Sequence, residues 1–314
     1  MAHSTAPSRI IRSPIGVASA LLATLVSILW GGNIVAIRIG VANVPPLWSA
    51  FWRMFLGVLI VAIWARSRGV GLWPARGEGR PLLILGVLFA VQIALLNLGT
   101  AYTSPGYAVV ILNSYAVFAN LTGHFLAGHS VAGNLEQPLT RGRSLGLVLA
   151  LAGVGILAFG QEVSELAPRP LLGNFLIVVS TALLGFRQVY TRWIVQSVDP
   201  VRTIVWQMLW SMPLFLAAAA FFEPPVVGSI TWQAVAALAY QGWVVAGICF
   251  VIWASLLKHH SAGTLSMFAF LVPFSGIALS ALLFREPMRV ELIVGGILVL
   301  AGVWVVTRME VSES

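Results

Sequence analysis

The sequence predicts an all-α integral membrane protein: ten transmembrane helices arranged as two inverted-topology five-helix repeats around a central cavity. Three observations predict it. The 314 residues are 59% apolar and only 9% charged, with a mean hydropathy of +0.94, whereas a soluble domain is about a quarter charged. Ten apolar runs are separated by short polar breaks. Matching residues also recur between the two halves in the same order.

The runs lie near 15–37, 45–65, 81–102, 104–127, 144–161, 171–192, 200–222, 231–257, 261–284 and 289–307. Each approaches the ~20 residues that cross a hydrocarbon core. Proline and glycine punctuate the breaks, as at Val44-Pro45-Pro46, Ser104-Pro105-Gly106, Asp199-Pro200 and Glu223-Pro224-Pro225. The joins at 102–104 and 258–261 are short enough to require tight antiparallel hairpins. Residues 15–161 and 171–307 form the two expected units, flanked by tails at 1–14 and 308–314. The first run, after Arg9 and Arg12, is too long for a signal-peptide core and lacks a small-residue cleavage site, so it reads as a retained span.

The net charge of +8 bears on topology. Placing the N-terminus in the cytoplasm puts twelve of the 18 Lys and Arg residues on the cytoplasmic side. The other side receives only Arg38, Arg169, Arg285 and Arg289, while Arg53 and Arg187 fall within spans. That asymmetry follows the positive-inside rule and places both termini in the cytoplasm of a multi-pass cell-membrane protein. There is no room for a basic nucleic-acid-binding domain. The single Cys249 excludes an intramolecular disulfide framework and a Cys-rich metal site. No cofactor is expected, and monomer and homodimer both stay open.

At an offset of 154, Gly31 pairs with Gly185, Arg38 with Arg192, Pro46 with Pro200, Trp52 with Trp206 and Met54 with Met208. At 157, Ser104 and Gly106 pair with Ser261 and Gly263. At 149, Gly146 and Gly153-Val154 pair with Gly295 and Gly302-Val303. A unit of five spans is odd, so the second copy enters the membrane from the opposite side. Inverted repeats of this kind recur among secondary transporters, where the copies exchange conformations.

Trp30-Gly31-Gly32-Asn33 followed by Arg38 resembles the opening motif of the drug/metabolite transporter superfamily, EamA type. Phe51-Trp52-Arg53, Tyr102-Thr103-Ser104-Pro105-Gly106, His260-Ser261-Ala262-Gly263 and Arg285-Glu286-Pro287 with Gly302-Val303 are similar to later elements of that family. Gly128-His129 departs from the family's usual Gly-Glu, and Ala116 stands where span four often has proline. The resemblance spans about residues 20 to 307. It implies a ten-helix basket that moves small metabolites, often amino acids or related compounds, commonly outward.

Polar groups at membrane depth usually face a cavity or a partner. Arg53 lies about 12 Å into span two at ~1.5 Å per residue, too deep to snorkel easily. It is a candidate carboxylate anchor, with a structural tie between helix ends as the competing reading. In span four, Gly106, Asn113, Asn120 and His124 share one helical stripe, with Tyr107 and Tyr115 on adjacent faces. The stripe marks a cavity lining, although interhelical hydrogen bonding also uses Asn. Asn33 and Trp30 in span one, Gln92 in span three, Arg187 in span six, Gln207 in span seven, and Gln241 and Trp253 in span eight complete the candidates. Arg187 lies nearer the cytoplasmic end and is expected to snorkel. Trp30, Trp253, Trp206 and Trp210 are either pocket walls or lipid-facing. Trp48, Trp64, Trp73, Trp193 and Trp232 belong to an interfacial belt. Pro273, Gly106 and Gly263 are candidate hinges, and Gly142, Gly146 and Ala150 form a small-residue seam in span five.

Transport of a small molecule by alternating access is the expected function. A scaffold or sensor is the alternative, and an intramembrane enzyme a more distant one, since neither paired intramembrane aspartates nor an H-E-x-x-H motif is present. The span interiors hold no Asp or Glu. That leaves gradient-driven exchange at least level with proton antiport.

Overall fold

A computed structural model describes residues 15–125, 140–225, 230–260 and 262–313. Both tails' outer residues, Gly128-His129 and Ser261 lie outside them. The regular elements among the described residues are all helical, and ten of the helical runs are long and apolar enough to cross a membrane. Spans one to five are Val17–Val41, Pro46–Ser67, Gly79–Tyr102, Pro105–Phe125 and Arg141–Gly160. Span six is Pro170–Ile194 and span seven Pro200–Phe222. Span eight starts at Trp232, span nine runs from Ala262 to Phe284 and span ten starts at Val290. Four spans begin with proline at the first helical turn, where its missing N–H costs nothing.

The packing is two-fold symmetric. Span one packs on span nine as span six packs on span four, and span two meets span eight as span seven meets span three. Spans two and seven pack on each other, as do spans five and ten. Individual residues obey the same symmetry. A Cβ on Gly31 would fall 2.0 Å from Ser275 Oγ and 2.9 Å from Gly276 N, and one on Gly185 would fall 2.7 Å from Phe118 Cβ and 2.6 Å from Ala119 N. Phe118 and Ala119 are the equivalents of Ser275 and Gly276 at the offset of 157. In the span five–ten seam a Cβ on Gly146 would meet Gly302 O at 2.9 Å, and one on Gly295 would meet Gly153 O at 3.1 Å. The small residues of span five therefore serve internal packing between the repeats, with Ala150 lying against Gly302.

Three spans depart from regular α-helix. Span four breaks at Ser114, between Pro105–Asn113 and Tyr115–Phe125. Span nine breaks at Phe270, between Ala262–Ala269 and Leu271–Phe284. These are corresponding places, since Ser114 maps onto Leu271. The causes differ. Pro273 has no N–H for the Ala269 carbonyl. In span four, Asn113 Nδ2 donates to Val109 O at 2.7 Å and Ser114 Oγ to Ile111 O at 2.7 Å, side-chain bonds that compete with the helix ladder. Span eight is wound as a π-helix over Tyr240–Cys249, where Gly242 and Gly247 let span two come close.

Candidate functional site

A cavity of about 1080 Å³ runs between spans one, two, four, six, seven, eight and nine. Its mouth is rimmed by Arg68 and Val70 after span two and by Val195, Asp199 and Pro200 between spans six and seven. That is the arginine-rich end, called here the basic face. Trp30, Asn33, Asn113 and Val272 also line the cavity. Both helix breaks abut it, through Asn113 on span four and Ala269 on span nine. Unwound helix in corresponding places of two halves is where secondary transporters build their binding sites.

Arg187 is a cation set in the wall of this cavity. Its Nη1 donates to Gln207 Oε1 at 3.0 Å, and its guanidinium carbon lies 4.8 Å from the Phe89 ring centroid. Nε is left without a hydrogen-bond partner. Arg187 is seven residues from the end of span six, about 10 Å at ~1.5 Å per residue, yet it does not snorkel to the interface. The expectation that it would is corrected: Gln207 and the Phe89 ring hold the guanidinium at its own depth in the bundle. Aromatic groups line the wall of span eight. Trp30 and Trp253 are 4.9 Å apart between ring centroids, with Phe250 6.0 Å from Trp30.

Of the sequence candidates, Trp30, Asn33, Asn113, Tyr115, Arg187, Gln207 and Trp253 line this cavity. Arg53, Gln92, Asn120 and Gln241 do not, and the structure gives them other surroundings. Gln92 Nε2 donates to Ser180 Oγ at 3.1 Å, and Ser180 Oγ donates back to Gln92 O at 2.8 Å, tying span three to span six. Gln241 Nε2 donates to Ala36 O at 3.0 Å, joining span eight to span one. Asn120 Nδ2 bonds back to Ala116 O on its own helix. Arg53 is 4% exposed and lies outside the cavity wall. Trp206 is a tie to the basic-face loop, its Nε1 donating to Leu72 O at 2.6 Å, and Trp210 is partly exposed beside it. Trp64, expected in the interfacial belt, lines the cavity instead. Gln188, Thr191 and Thr203 line it too and escaped the sequence reading. Nothing in their type or spacing separates them from ordinary helix-packing polar residues.

The far end of the bundle is tied across by side-chain hydrogen bonds. Glu286, just after span nine, is buried at 7% exposure and crosses to the start of span four. It accepts hydrogen bonds from Ser104 Oγ and Ser280 Oγ and, at 3.0 Å, from Gly106 N. Gln161 Nε2 donates to Ser104 Oγ at 2.6 Å, bringing span five into the network. Glu223 caps span two from the end of span seven, accepting from Leu47 N at 2.8 Å and Trp48 N at 3.1 Å. Arg38 donates to Ala101 O at 2.7 Å at the end of span three, where a cation suits the helix dipole. The sequence expectation concerned the span interiors, and the buried carboxylate lies just outside them. Glu286 is placed at a span margin where hydropathy reads only a loop. Gly106 is explained by it, because a Cβ there would lie 2.8 Å from Glu286 Oε2. Gly263 occupies the first turn of span nine, among side chains outside the described set. Among the described residues no cluster of His, Cys, Asp or Glu has the makings of a metal site.

The pattern of the EamA-like transporter family matches this chain twice, over residues 17–159 and 171–308. The chain belongs to the EamA-like transporter family. It is 22% identical over 285 residues to YoaV, an uncharacterised transporter of Bacillus subtilis, covering 90% of this chain and 94% of that one. It is 25% identical over 297 residues to a probable amino-acid metabolite efflux pump of Escherichia coli, covering 91% and 93%. A similar pump of Salmonella typhimurium is 26% identical over 297 residues, covering 90% of this chain and 93% of that one. One solved crystal structure matches with a TM-score of 0.63 at 20% identity, covering 93% of this chain and 99% of its own, a likeness of fold. As a member of this family the protein is a membrane transporter, not an enzyme.

Proposed function

We propose that this EamA-like protein moves a small carboxylate-bearing metabolite of the amino-acid class outward across the cell membrane by alternating access. In this reading the basic face is cytoplasmic, both termini lie there, and the structure is the state open to the cytoplasm. The observation that carries the proposal is Arg187, set in the cavity wall with one nitrogen held by Gln207 and Nε unpartnered. A guanidinium in that position matches a carboxylate fork. Trp30, Trp253 and Phe250 supply an apolar surface for the rest of the molecule. The names of the E. coli and Salmonella relatives agree with the substrate class.

Counterflow into proteoliposomes tests it. Amino acids are compared with the amines that differ from them only by loss of the carboxylate, such as L-phenylalanine with phenethylamine. The acids are expected to exchange and the amines to fail. Equal exchange of both would remove Arg187 as anchor, and no exchange of any carboxylate would remove the substrate class.

A further inference from the structure

The offset of 154 that aligns spans one and two with six and seven also pairs Asn33 with Arg187 and Arg53 with Gln207. Each repeat therefore carries one guanidinium and one amide at the same two positions, with the identities exchanged. In the second repeat the two groups are joined, Arg187 Nη1 to Gln207 Oε1 at 3.0 Å, beside the open vestibule. In the first repeat they are not. Asn33 Oδ1 and both Nε and Nη1 of Arg53 are buried without hydrogen-bond partners. Asn33 lines the cavity, and Arg53 is buried outside its wall.

A guanidinium buried at membrane depth with two nitrogens unsatisfied is costly and demands a reason. The symmetry supplies one. When an inverted-repeat protein turns its opening to the other face, the first repeat takes up the arrangement now seen in the second. We infer that Asn33 and Arg53 form a second anion site, latent in this state, which assembles as the Arg187–Gln207 pair comes apart. A carboxylate held at Arg187 on one side is then received by Arg53 on the other. The inference rests on the carboxylate reading of the cavity and assigns that substrate its second anchor. Swapping cation and amide between the repeats keeps a single positive charge on each half of the path.

The test exchanges the first pair to match the second. In full-length protein in proteoliposomes, with radiolabelled L-phenylalanine as probe, Arg53→Gln is expected to lower exchange roughly tenfold, the scale of one lost charge-assisted hydrogen bond. The double variant Asn33→Arg/Arg53→Gln is expected to restore most of it. Recovery from a different helix is not expected of an arginine that only braces span two. A double variant as inactive as Arg53→Gln at equal abundance would overturn the proposal, as would full activity of Arg53→Gln. A second readout needs no substrate. In a Cys249→Ala background, cysteines at 33 and 53 and at 187 and 207 are treated with a short bifunctional thiosulfonate. Cross-linking at 187 and 207 is expected to prevent cross-linking at 33 and 53. Both links in one molecule, or none at 33 and 53 in folded protein, would also overturn it. Failure of L-phenylalanine exchange in the unaltered protein would count against the substrate reading, and the cross-links would still decide the paired-site inference.

Discussion

Gly106→Ala adds one methyl group against the buried Glu286 carboxylate at the far end of the bundle. The new Cβ would sit 2.8 Å from Glu286 Oε2, 2.9 Å from Oε1 and 3.0 Å from Cδ, all well inside ordinary contact distance. The backbone there starts span four beneath Pro105, so the carboxylate must yield. As it moves it loses the Gly106 N–H and strains its bonds from Ser104 and Ser280. A hydrogen bond to a charged group contributes roughly 1.5–3 kcal/mol. Because these three share one acceptor and do not add, the expected loss is about 2–4 kcal/mol. The control is Gly155→Ala, where the added Cβ meets nothing within 4 Å. Thermal unfolding in detergent should show a drop of several degrees for Gly106→Ala, at roughly 2 °C per kcal/mol, and none for Gly155→Ala. Because Glu286 joins the end of span nine to the start of span four, Gly106→Ala should also raise labelling, by an impermeant thiol reagent, of a cysteine introduced at that end in a Cys249→Ala background. Unchanged melting and unchanged labelling, with both variants folded, would refute the role given to Glu286.

Other outcomes follow from the same geometry. Arg187→Gln should lower kcat/KM for carboxylate exchange by roughly 10- to 100-fold at normal abundance. Arg187→Lys, which keeps the charge without the planar fork, should recover only part. Gly302→Leu places a Cβ 2.4 Å from Gly146 O and 2.5 Å from Ala150 N; backbone cannot yield as a side chain can, so a cost of at least ~3 kcal/mol and sharply reduced folded protein are expected. At the basic face, Glu78 pairs with Arg202 at 2.8 Å. Burial pulls its carboxyl up, but the Ala75 N–H and Arg202 outweigh that and hold it below the ordinary carboxylate value. A depressed folded pKa gives stability that is complete above the unfolded value of about 4.3 and is lost as pH falls through the folded one. The melting temperature of the unaltered protein should therefore converge on that of Glu78→Gln below about pH 4, and a constant gap across that range would contradict the pairing.

Ten spans and their pairing into halves were legible because hydropathy and Lys/Arg placement act residue by residue along the chain. The seam glycines were legible too, since Gly146, Gly153, Gly295 and Gly302 keep a seven-residue spacing that puts them on one face. Pro273 announces the break in span nine. Its partner at Ser114 carries no proline, and only the competing Asn113 and Ser114 bonds reveal it. The site was harder to read. A helical stripe shows which residues share a face but not what that face meets. Asn113 and Asn120 share a stripe, yet the break between them leaves only Asn113 at the cavity. Gln241 falls in a stretch wound as π-helix, which shifts side chains off the faces that 3.6-residue counting assigns. Glu286 lies in a loop by sequence and is drawn inward only by donors from spans four and nine.

Alternating exposure of two equivalent positions is the claim beneath all of these. Gln188 is exposed and lines the vestibule, and its repeat equivalent at the offset of 154, Ile34, is 1% exposed. With Cys249→Ala as background, Gln188→Cys and Ile34→Cys are each challenged with an impermeant maleimide added to one face or the other of oriented membranes. Without substrate, Gln188→Cys should react from the basic face while Ile34→Cys stays protected. During turnover Ile34→Cys should begin to react, from the opposite face alone. Reaction of both from the same face, or protection of Ile34→Cys throughout active exchange, would contradict the account.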